Sequence, residues 1–226
     1  MRGFVAVLVA AVVLPVAGRI AGQAGVHVLP FDTARETLRI HVSPSPAGMA
    51  FADVAAAKRP RLAINGTYYG MDGRPLGILR SRGRWSFRGG HMRTAFAVDR
   101  RGAASIIRRD DVRRNPANFP FAVAAGPRLL TNGRITLNPE AEGFRAASRR
   151  LRASRVALGV RRDGSALAIV DEIPVTLAEF AAVCRNAGAV DAVNLDGGGA
   201  TALYEDGRVT VSPRIPMANV ITIGER

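Results

Sequence analysis

Short runs of strand-forming residues, each ended by a glycine turn, recur along the sequence up to about residue 136. The turns are predicted at Asp72-Gly73, Arg82-Gly83, Arg101-Gly102 and Asn132-Gly133. Asn65-Gly66 is a further hairpin signal, between Leu62–Ile64 and Thr67–Tyr69. Strands joined this closely pair in an antiparallel manner. The rhythm therefore predicts a meandering, largely antiparallel sheet.

Two helices are predicted within this strand pattern. The first covers Ala47–Lys58 behind Pro46, because proline suits a first helical position. The second begins at the capping box Thr176–Glu179 and ends at Gly188. Further strands are predicted at Val26–Phe31, Thr37–Val42, Arg155–Val160, Ala166–Val170, Thr201–Tyr204, Arg208–Val211 and Asn219–Ile223, and an exposed, mobile loop or short helix at Asn138–Ser154. The predicted fold class is α+β, a single domain with a largely antiparallel or mixed central sheet and two main helices.

The chain begins with Arg2 and an uninterrupted apolar block, Phe4–Ala17, followed by small residues. This order is typical of a secretory signal peptide. We therefore predict a signal peptide over residues 1–24 and an exported protein, periplasmic or extracellular, whose single domain covers residues 25–226. The apolar block is too short to span a bilayer comfortably, so no stable membrane span is expected.

The chain is strongly basic, with a formal net charge of +14. Almost all of this charge comes from arginine, since Lys58 is the sole lysine. Such a field attracts phosphates, acidic glycans or anionic lipids, so binding to an anionic surface by charge alone is one hypothesis. A GC-rich coding sequence would produce the same arginine bias without any such role. Nucleic acid is not expected as a partner, because aromatic residues are few and no binding module is recognisable.

The most unusual stretch is Asn194–Thr201, NLDGGGAT, in which three glycines directly follow Asp196. Phosphate loops also place glycines after a strand, but they need a helix directly behind the glycines, and here hairpin residues follow. An EF-hand loop is excluded because its other oxygen ligands are missing. Two interpretations remain: a tight turn between strands, or a backbone nest whose free N–H groups face an anion beside a carboxylate.

Several segments occur in the order of a known family. They are LAINGTYYGMDGRPLG, AAGPRLLTNGRI, SRVALGVRRDG, AVNLDGGGATAL and RIPMANVITI. Together they resemble the phosphodiester glycosidase family, one member of which removes N-acetylglucosamine from a phosphodiester on mannose. The resemblance covers about Leu62 to Ile223, and DGGG is its most specific part. At three positions the chain departs from the family pattern: Thr67, Ala200 and Val156 stand where a glycine, a serine and a threonine are usual.

The resemblance implies an active site around Asp196. A carboxylate on one face of the sugar stabilises the oxocarbenium-like transition state of glycoside cleavage, as nucleophile or as base for water. Asp196 is the first catalytic candidate and Asp72 a weaker second acid. Arg155 is the candidate phosphate clamp, because a guanidinium can bond two oxygens at once; an ordinary exposed strand arginine is the alternative.

The remaining candidates would bind the substrate. They are Asn65, Gly66, Asn194, Gly197, Gly198, Gly199, Thr201, Arg214 and Asn219. Side-chain alternation puts Asn194 on the same face as Asp196. A turn role for Asn65, and structural roles for Arg214 and Asn219, are open alternatives.

The remaining reactive side chains are predicted to be structural or to lie on the surface. His27, His41 and His91 lack metal-ligand spacing, and Cys184 falls on the apolar stripe of the second helix as a buried core thiol. No cofactor is expected, and the sequence leaves open whether a metal is used.

The predicted function is an exported glycoside hydrolase that cleaves a sugar 1-phosphodiester or a related cell-surface glycan linkage. Its partner would be a carbohydrate or sugar-phosphate substrate. The alternative is a non-catalytic glycan-binding or exopolysaccharide-processing accessory protein on the same fold. The sequence assigns no oligomeric state.

Overall fold

The computed structural model of the chain describes residues 23–225, which form three sheets around a shared core. The predicted signal peptide lies outside the described residues except for its last two positions. Within this part of the chain, no helix has the length and apolar character needed to cross a membrane.

Strands dominate the secondary structure. They are β1 Val26–Phe31, β2 Glu36–Val42, β3 Leu62–Asn65, β4 Leu79–Ser81, β5 Arg84–Phe87, β6 Thr94–Val98, β7 Ala104–Arg108, β8 Phe121–Ala125, β9 Arg128–Thr131, β10 Arg134–Ile135, β11 Ala153–Arg161, β12 Ala166–Val175, β13 Ala189–Asn194, β14 Leu203–Glu205, β15 Arg208–Val211 and β16 Asn219–Glu225. The α-helices are α1 Phe51–Lys58, α2 Arg109–Arg114 and α3 Leu177–Asn186. Short 3-10 helices occur at Pro116–Asn118, Glu140–Glu142, Ala146–Arg149 and Gly198–Ala200.

The strands are distributed over three sheets. The first has the order β1-β12-β11-β13-β9-β10, the second β15-β14-β3-β16-β2, and the third β5-β4-β8-β6-β7. Every strand pair in these sheets, as far as the structure describes the chain, is antiparallel. The predicted antiparallel pairing is confirmed, whereas the single central sheet is replaced by three. The fold is β-rich, with α1 and α3 as its two longer helices.

Each sheet buries one face in the shared core and packs a helix against the other face. In β6, Phe96 lies in the shared core, while Ala95 and Ala97 pack in a cluster with Val112 of α2. Phe180 of α3 packs on the outer face of the first sheet, and Phe51 of α1 on the outer face of the second. Because both faces are covered, the central strands are continuously apolar instead of alternating.

The second predicted helix is confirmed, and the first begins later than predicted. Thr176 Oγ1 accepts the Glu179 N–H, and the Glu179 carboxylate accepts the Thr176 N–H, which forms the predicted capping box of α3. The α1 helix begins at Phe51 instead of Ala47. Met49 pairs with Met217 as an isolated β-bridge, and this pairing keeps the chain extended up to the start of the helix.

The predicted hairpin at Asn65-Gly66 is wrong. β3 ends at Asn65 and pairs with β14 and β16, not with the residues that follow it. Gly66 serves a close approach: its N–H donates to the Asn219 carbonyl at 3.0 Å, and a Cβ at this position would lie 1.8 Å from Asn219 Oδ1. The glycine is therefore required by its neighbour on β16 and not by a turn.

We predict that Gly66→Ala lowers the free energy of unfolding by about 3 kcal/mol, because the added Cβ overlaps a buried side chain that cannot withdraw. Urea unfolding of the purified variant measures this change. Gly224→Ala is the matched control, since a Cβ there would meet its nearest atoms only at 3.9 Å. An equal loss of stability in both variants would show that the contact with Asn219 is not the cause.

Candidate active site

Asp196 stands two residues beyond β13, an interior strand of the first sheet. Val193 and Leu195 lie in the shared core, so side-chain alternation leaves Asn194 and Asp196 on the opposite face. The common face that the sequence predicts for this pair is therefore the arrangement the strand adopts.

The loop behind Asp196 is shaped by close backbone contacts. The Gly197 N–H donates to the Asp196 carboxylate at 2.8 Å. A Cβ on Gly197 would lie 2.6 Å from the Ser154 carbonyl oxygen, and Gly198 adopts the left-handed conformation with φ +61°. Two of the three glycines thus have a local steric reason to be glycine.

The same loop presents free hydrogen-bond donors. The Gly198 and Gly199 N–H groups have no acceptor among residues 23–225. The Arg214 N–H donates to the Gly199 carbonyl at 2.7 Å, which fixes the loop from the other side. These amides start a single 3-10 turn next to the carboxylate. The bond from the Gly197 N–H to the Asp196 carboxylate fits the turn interpretation, and the free Gly198 and Gly199 N–H groups keep the nest interpretation as a prediction.

The Asp196 carboxylate is held in an environment that disfavours its charge. Burial raises the pKa of Asp196 to about 6, although the hydrogen bond from the Gly197 N–H opposes this rise. Asp196 forms no ion pair within the described part of the chain. Its carboxylate is mostly ionised at neutral pH without a cation to compensate it.

Tyr68 is the central residue that the sequence analysis missed. Its hydroxyl accepts a hydrogen bond from Asn194 Nδ2, and its ring meets Phe144 edge to face at 5.7 Å. Burial, and then the negative charge of Asp196, raise the pKa of Tyr68, while the positive charge of Arg155 lowers it. The hydroxyl therefore remains protonated at neutral pH. Tyr68 lies within one of the family-like segments, which was the one signal for it.

Arg155 is buried, with 6 % of its surface exposed, so the alternative of an ordinary exposed arginine is wrong. Nε donates to the Val175 carbonyl at 3.2 Å and Nη2 to the Leu151 carbonyl. No carboxylate in residues 23–225 forms an ion pair with it. Burial lowers the pKa of Arg155, opposed by Tyr68. A buried guanidinium without a counter-charge is suited to an anionic ligand.

Asn65 and Asn219 hold the backbone of the site. Asn65 Nδ2 donates to the Asp196 carbonyl at 2.8 Å, and Oδ1 accepts the Ala202 N–H at 3.1 Å. Asn219 Oδ1 accepts the Thr67 N–H at 2.8 Å, and Nδ2 donates to the Thr67 carbonyl at 3.1 Å. These contacts favour the structural alternative for Asn219 and give Asn65 a positioning role.

Asn194 combines a saturated donor with an unpaired acceptor. Its Nδ2 donates to Tyr68 and to the Gly126 and Leu195 carbonyls. Its Oδ1 is buried and has no hydrogen-bond partner in the described part of the chain. An unsatisfied buried acceptor is costly, so this oxygen is a place where a ligand hydroxyl would be stabilised.

Three other predicted residues lie at the periphery of the site. Thr201 is buried and its hydroxyl bonds the Ser154 hydroxyl at 2.9 Å, behind the glycine loop. Arg214 has an exposed side chain and contributes through its backbone. Asp72 lies in an exposed turn, where its carboxylate accepts the Arg74 N–H at 3.1 Å. Among residues 23–225 the Asp72 carboxylate bonds Arg74, whereas that of Asp196 bonds the Gly197 N–H.

Glu142 is a second acid that the sequence analysis did not single out. It lies in the segment predicted as an exposed loop or short helix, which forms two short 3-10 helices. Its carboxylate accepts the Arg128 N–H at 2.6 Å and the Thr94 hydroxyl at 2.7 Å. Its charge also contributes to raising the pKa of Tyr68. A glutamate in a polar loop gives no sequence signal for such a position.

The three departures from the family pattern occupy buried positions. The Thr67 hydroxyl donates to the Ala124 carbonyl at 2.6 Å, Ala200 packs in the cluster beneath α1, and Val156 lies in the shared core. No group of three or more His, Cys, Asp or Glu side chains in residues 23–225 is arranged to hold a metal ion.

Comparison with known proteins places the whole arrangement in a family. A sequence model of the phosphodiester glycosidase family matches residues 58–223. No curated protein sequence matches the chain.

Solved structures share the fold. A hypothetical protein from Synechocystis is 20% identical with a TM-score of 0.76, covering 89% of this chain and 59% of its own length. The catalytic domain of zebrafish N-acetylglucosamine-1-phosphodiester alpha-N-acetylglucosaminidase, auto-inhibited by its pro-peptide, is 19% identical with a TM-score of 0.71, covering 89% of this chain and 82% of its own. A protein from Burkholderia pseudomallei is 14% identical with a TM-score of 0.64, covering 88% and 73%. This chain thus spans about three fifths of the Synechocystis protein.

The raised pKa of Asp196 leads to a prediction about stability. The folded state holds its proton up to about pH 6, whereas the unfolded carboxyl ionises near its ordinary value of 3.8, so stability falls as pH rises between these values. Asp196→Asn should therefore raise the free energy of unfolding at pH 7 by about 1–3 kcal/mol, and hardly at all at pH 4.

Urea unfolding at both pH values tests this prediction. Asp72→Asn is the matched control, because its exposed carboxylate should leave stability within about 0.5 kcal/mol of the wild type at either pH. An Asp196→Asn protein that is no more stable than the wild type at pH 7 would contradict the burial argument.

Proposed function

Because the chain belongs to the phosphodiester glycosidase family, we propose that it is an exported hydrolase that cleaves a sugar 1-phosphodiester or a related cell-surface glycan linkage. The family and the fold support a glycosidase-type function that acts on a carbohydrate substrate. The linkage class is taken from the zebrafish relative, an N-acetylglucosamine-1-phosphodiester alpha-N-acetylglucosaminidase. The basic, apolar and small residues at positions 1–24 support export.

In this proposal Asp196 supplies the carboxylate. Glycoside cleavage develops positive charge at the anomeric carbon, and a negative group on one face of the sugar stabilises it. Asp196 is ionised above about pH 6 and has no competing cation within residues 23–225. The positive charge of the transition state would offset the cost of burying the charge of Asp196.

Arg155 and Tyr68 would receive the phosphate. A phosphate ester leaves as a weakly basic anion and needs little protonation, so cations and hydrogen-bond donors suffice on that side. Arg155 offers a buried guanidinium without a carboxylate partner in the described residues, and Tyr68 a hydroxyl that stays protonated. The free Gly198 and Gly199 amides add donors for a phosphate or sugar oxygen.

One observation carries the proposal. The negative charge of Asp196 and the positive charge of Arg155 both act on the Tyr68 hydroxyl, with opposite effects on its pKa. The backbone geometry supports the same grouping: a Cβ on Gly197, next to Asp196, would lie 3.6 Å from Arg155 Cα, and Asn194 donates to the Tyr68 hydroxyl. A carboxylate for the sugar and a cation for the phosphate thus belong to adjoining segments of the chain. The departures at Thr67, Ala200 and Val156 are buried and change no charged group of the site, so they do not by themselves argue for a non-catalytic accessory protein.

We predict that the purified protein hydrolyses at least one member of a sugar-1-phosphodiester panel, and that Asp196→Asn lowers kcat by about 100-fold or more. Asp72→Asn should keep wild-type kcat, which separates the two candidate acids. Product release measured by chromatography gives the rates. Folded wild type that binds the panel without turnover would favour the accessory protein, and undiminished rates in Asp196→Asn would remove Asp196 from catalysis.

The pKa of Asp196 also predicts a pH profile. Since the ionised form is required, kcat/KM should rise with pH through about 6 and level above it. Tyr68→Phe should lower the plateau without moving the midpoint, because the tyrosine does not titrate in this range. Initial rates between pH 4.5 and about 8 measure both profiles. A rate that falls through pH 6 would instead make Asp196 a proton donor.

A further inference from the structure

The outer face of the second sheet is covered only in part. The α1 helix packs over the middle of this sheet, where Phe51 and Ala55 meet Ala63 and Val220. The edge strand β2 lies beyond the helix, and a cavity of about 470 Å³ opens there. We call it the basic cavity; its lining consists of Thr37, Arg39, His41, Lys58, Arg59, Pro60, Arg61, Thr222 and Gly224.

The strand pattern on this face differs from that of the other outer faces. Leu38 and Ile40 of β2 lie in the shared core, so the alternate residues Thr37, Arg39 and His41 line the cavity. Elsewhere the outer faces carry apolar residues under a helix. Cations, hydroxyls and an imidazole here make a polar cavity in place of a packing surface.

The cavity holds more positive than negative charge. Arg61 is paired with Glu36 at 2.7 Å. The other cations, Arg39, Lys58 and Arg59, have no carboxylate partner in residues 23–225. Like charges gathered around one concave space repel one another, and a bound anion would relieve this repulsion.

The pKa of His41 responds to the positive charges around the cavity. Burial lowers the pKa of His41, and the charges of Lys58 and Arg39 lower it further. Its Nε2 lies 3.0 Å from the Thr222 hydroxyl. Both cations therefore act on the cavity wall, where neutral hydrogen-bonding groups stand beside them.

The backbone at the end of α1 places a further arginine at the cavity. Arg59 is the residue that ends α1, and its backbone is left-handed, with φ 42°. Glycine or asparagine normally takes this conformation at a helix end, and another residue there costs of order 1 kcal/mol or more. An arginine is thus held at a strained position that lines the cavity.

We propose that the basic cavity binds an anionic sugar unit of a glycan, carrying a carboxylate or a phosphate. The arginine forks suit either anion, and Thr37, Thr222 and His41 can bond sugar hydroxyls. The cavity lies at the start of β3, and Asp196 contacts Gly66 just past the end of that strand, about 15 Å away along it. The site is separate from the proposed active site and does not depend on hydrolysis.

The lining favours a sugar over other polyanions. It contains no Phe, Tyr or Trp among the described residues, so nucleic-acid bases would find no stacking surface. It is concave and has no projecting large apolar side chain, unlike a surface that inserts into a membrane.

Lys58 allows a direct test, because it is the only lysine in the chain. An amine-reactive reagent labels its side chain, and peptide mass spectrometry gives the rate. We expect an oligogalacturonate or glucose 1-phosphate to slow labelling at least fivefold, and a neutral oligosaccharide at equal ionic strength to leave it unchanged. Comparing the two anions identifies the preferred group.

Variants separate this site from general charge attraction and from catalysis. Arg39→Ala should abolish the protection of Lys58, whereas Arg134→Ala, which removes the same charge from β10, should keep it. Asp196→Asn should also keep it, so failure of the proposed hydrolase would leave this result intact. The proposal is overturned if neither anionic sugar protects Lys58, if salt alone or a neutral sugar protects equally, or if an oligonucleotide or anionic vesicles protect more strongly.

Discussion

The side chain of Asn65 joins two sheets at the point on which the site depends. Its Nδ2 donates to the Asp196 carbonyl, and its Oδ1 accepts the Ala202 N–H, so one amide holds both ends of the glycine loop. Gly66 beside it accepts the Asp196 N–H and donates to Asn219. Loss of the Asn65 hydrogen bonds would free the backbone of Asp196 from β3. The second sheet therefore supports a site that is built on the first sheet.

The site contains two buried charges of opposite sign that are not paired with each other. Asp196 is buried without a cation, and Arg155 is buried without a carboxylate, as far as residues 23–225 are concerned. Pairing the two directly would satisfy both charges but would leave neither for a ligand. Both charges act on Tyr68, whose hydroxyl stays neutral. The buried clusters on both faces of the first sheet supply stability that offsets this cost.

The sequence correctly predicted those elements that depend on contacts between residues near one another in the chain. The capping box at Thr176–Glu179 starts α3 because its partners are three residues apart. The hairpin at Asn65-Gly66 failed for the opposite reason: the same dipeptide serves a contact with Asn219, far along the chain. The start of α1 was misplaced because Met217 holds Met49 in an extended bridge. Tertiary contacts overrode a propensity at both positions.

The sequence by itself determined the antiparallel pairing, the acid followed by three glycines and the family. Each of these depends on turns, alternation or motifs formed by residues that are neighbours in the chain. Only the tertiary structure decided that three sheets share one core, that Arg155 is buried and that Tyr68 bonds Asn194 while Glu142 bonds Thr94 and Arg128. It also gave Asn219 its role as a clamp. These facts depend on strands distant in the chain, whose burial and charge arise only when the sheets close on one another.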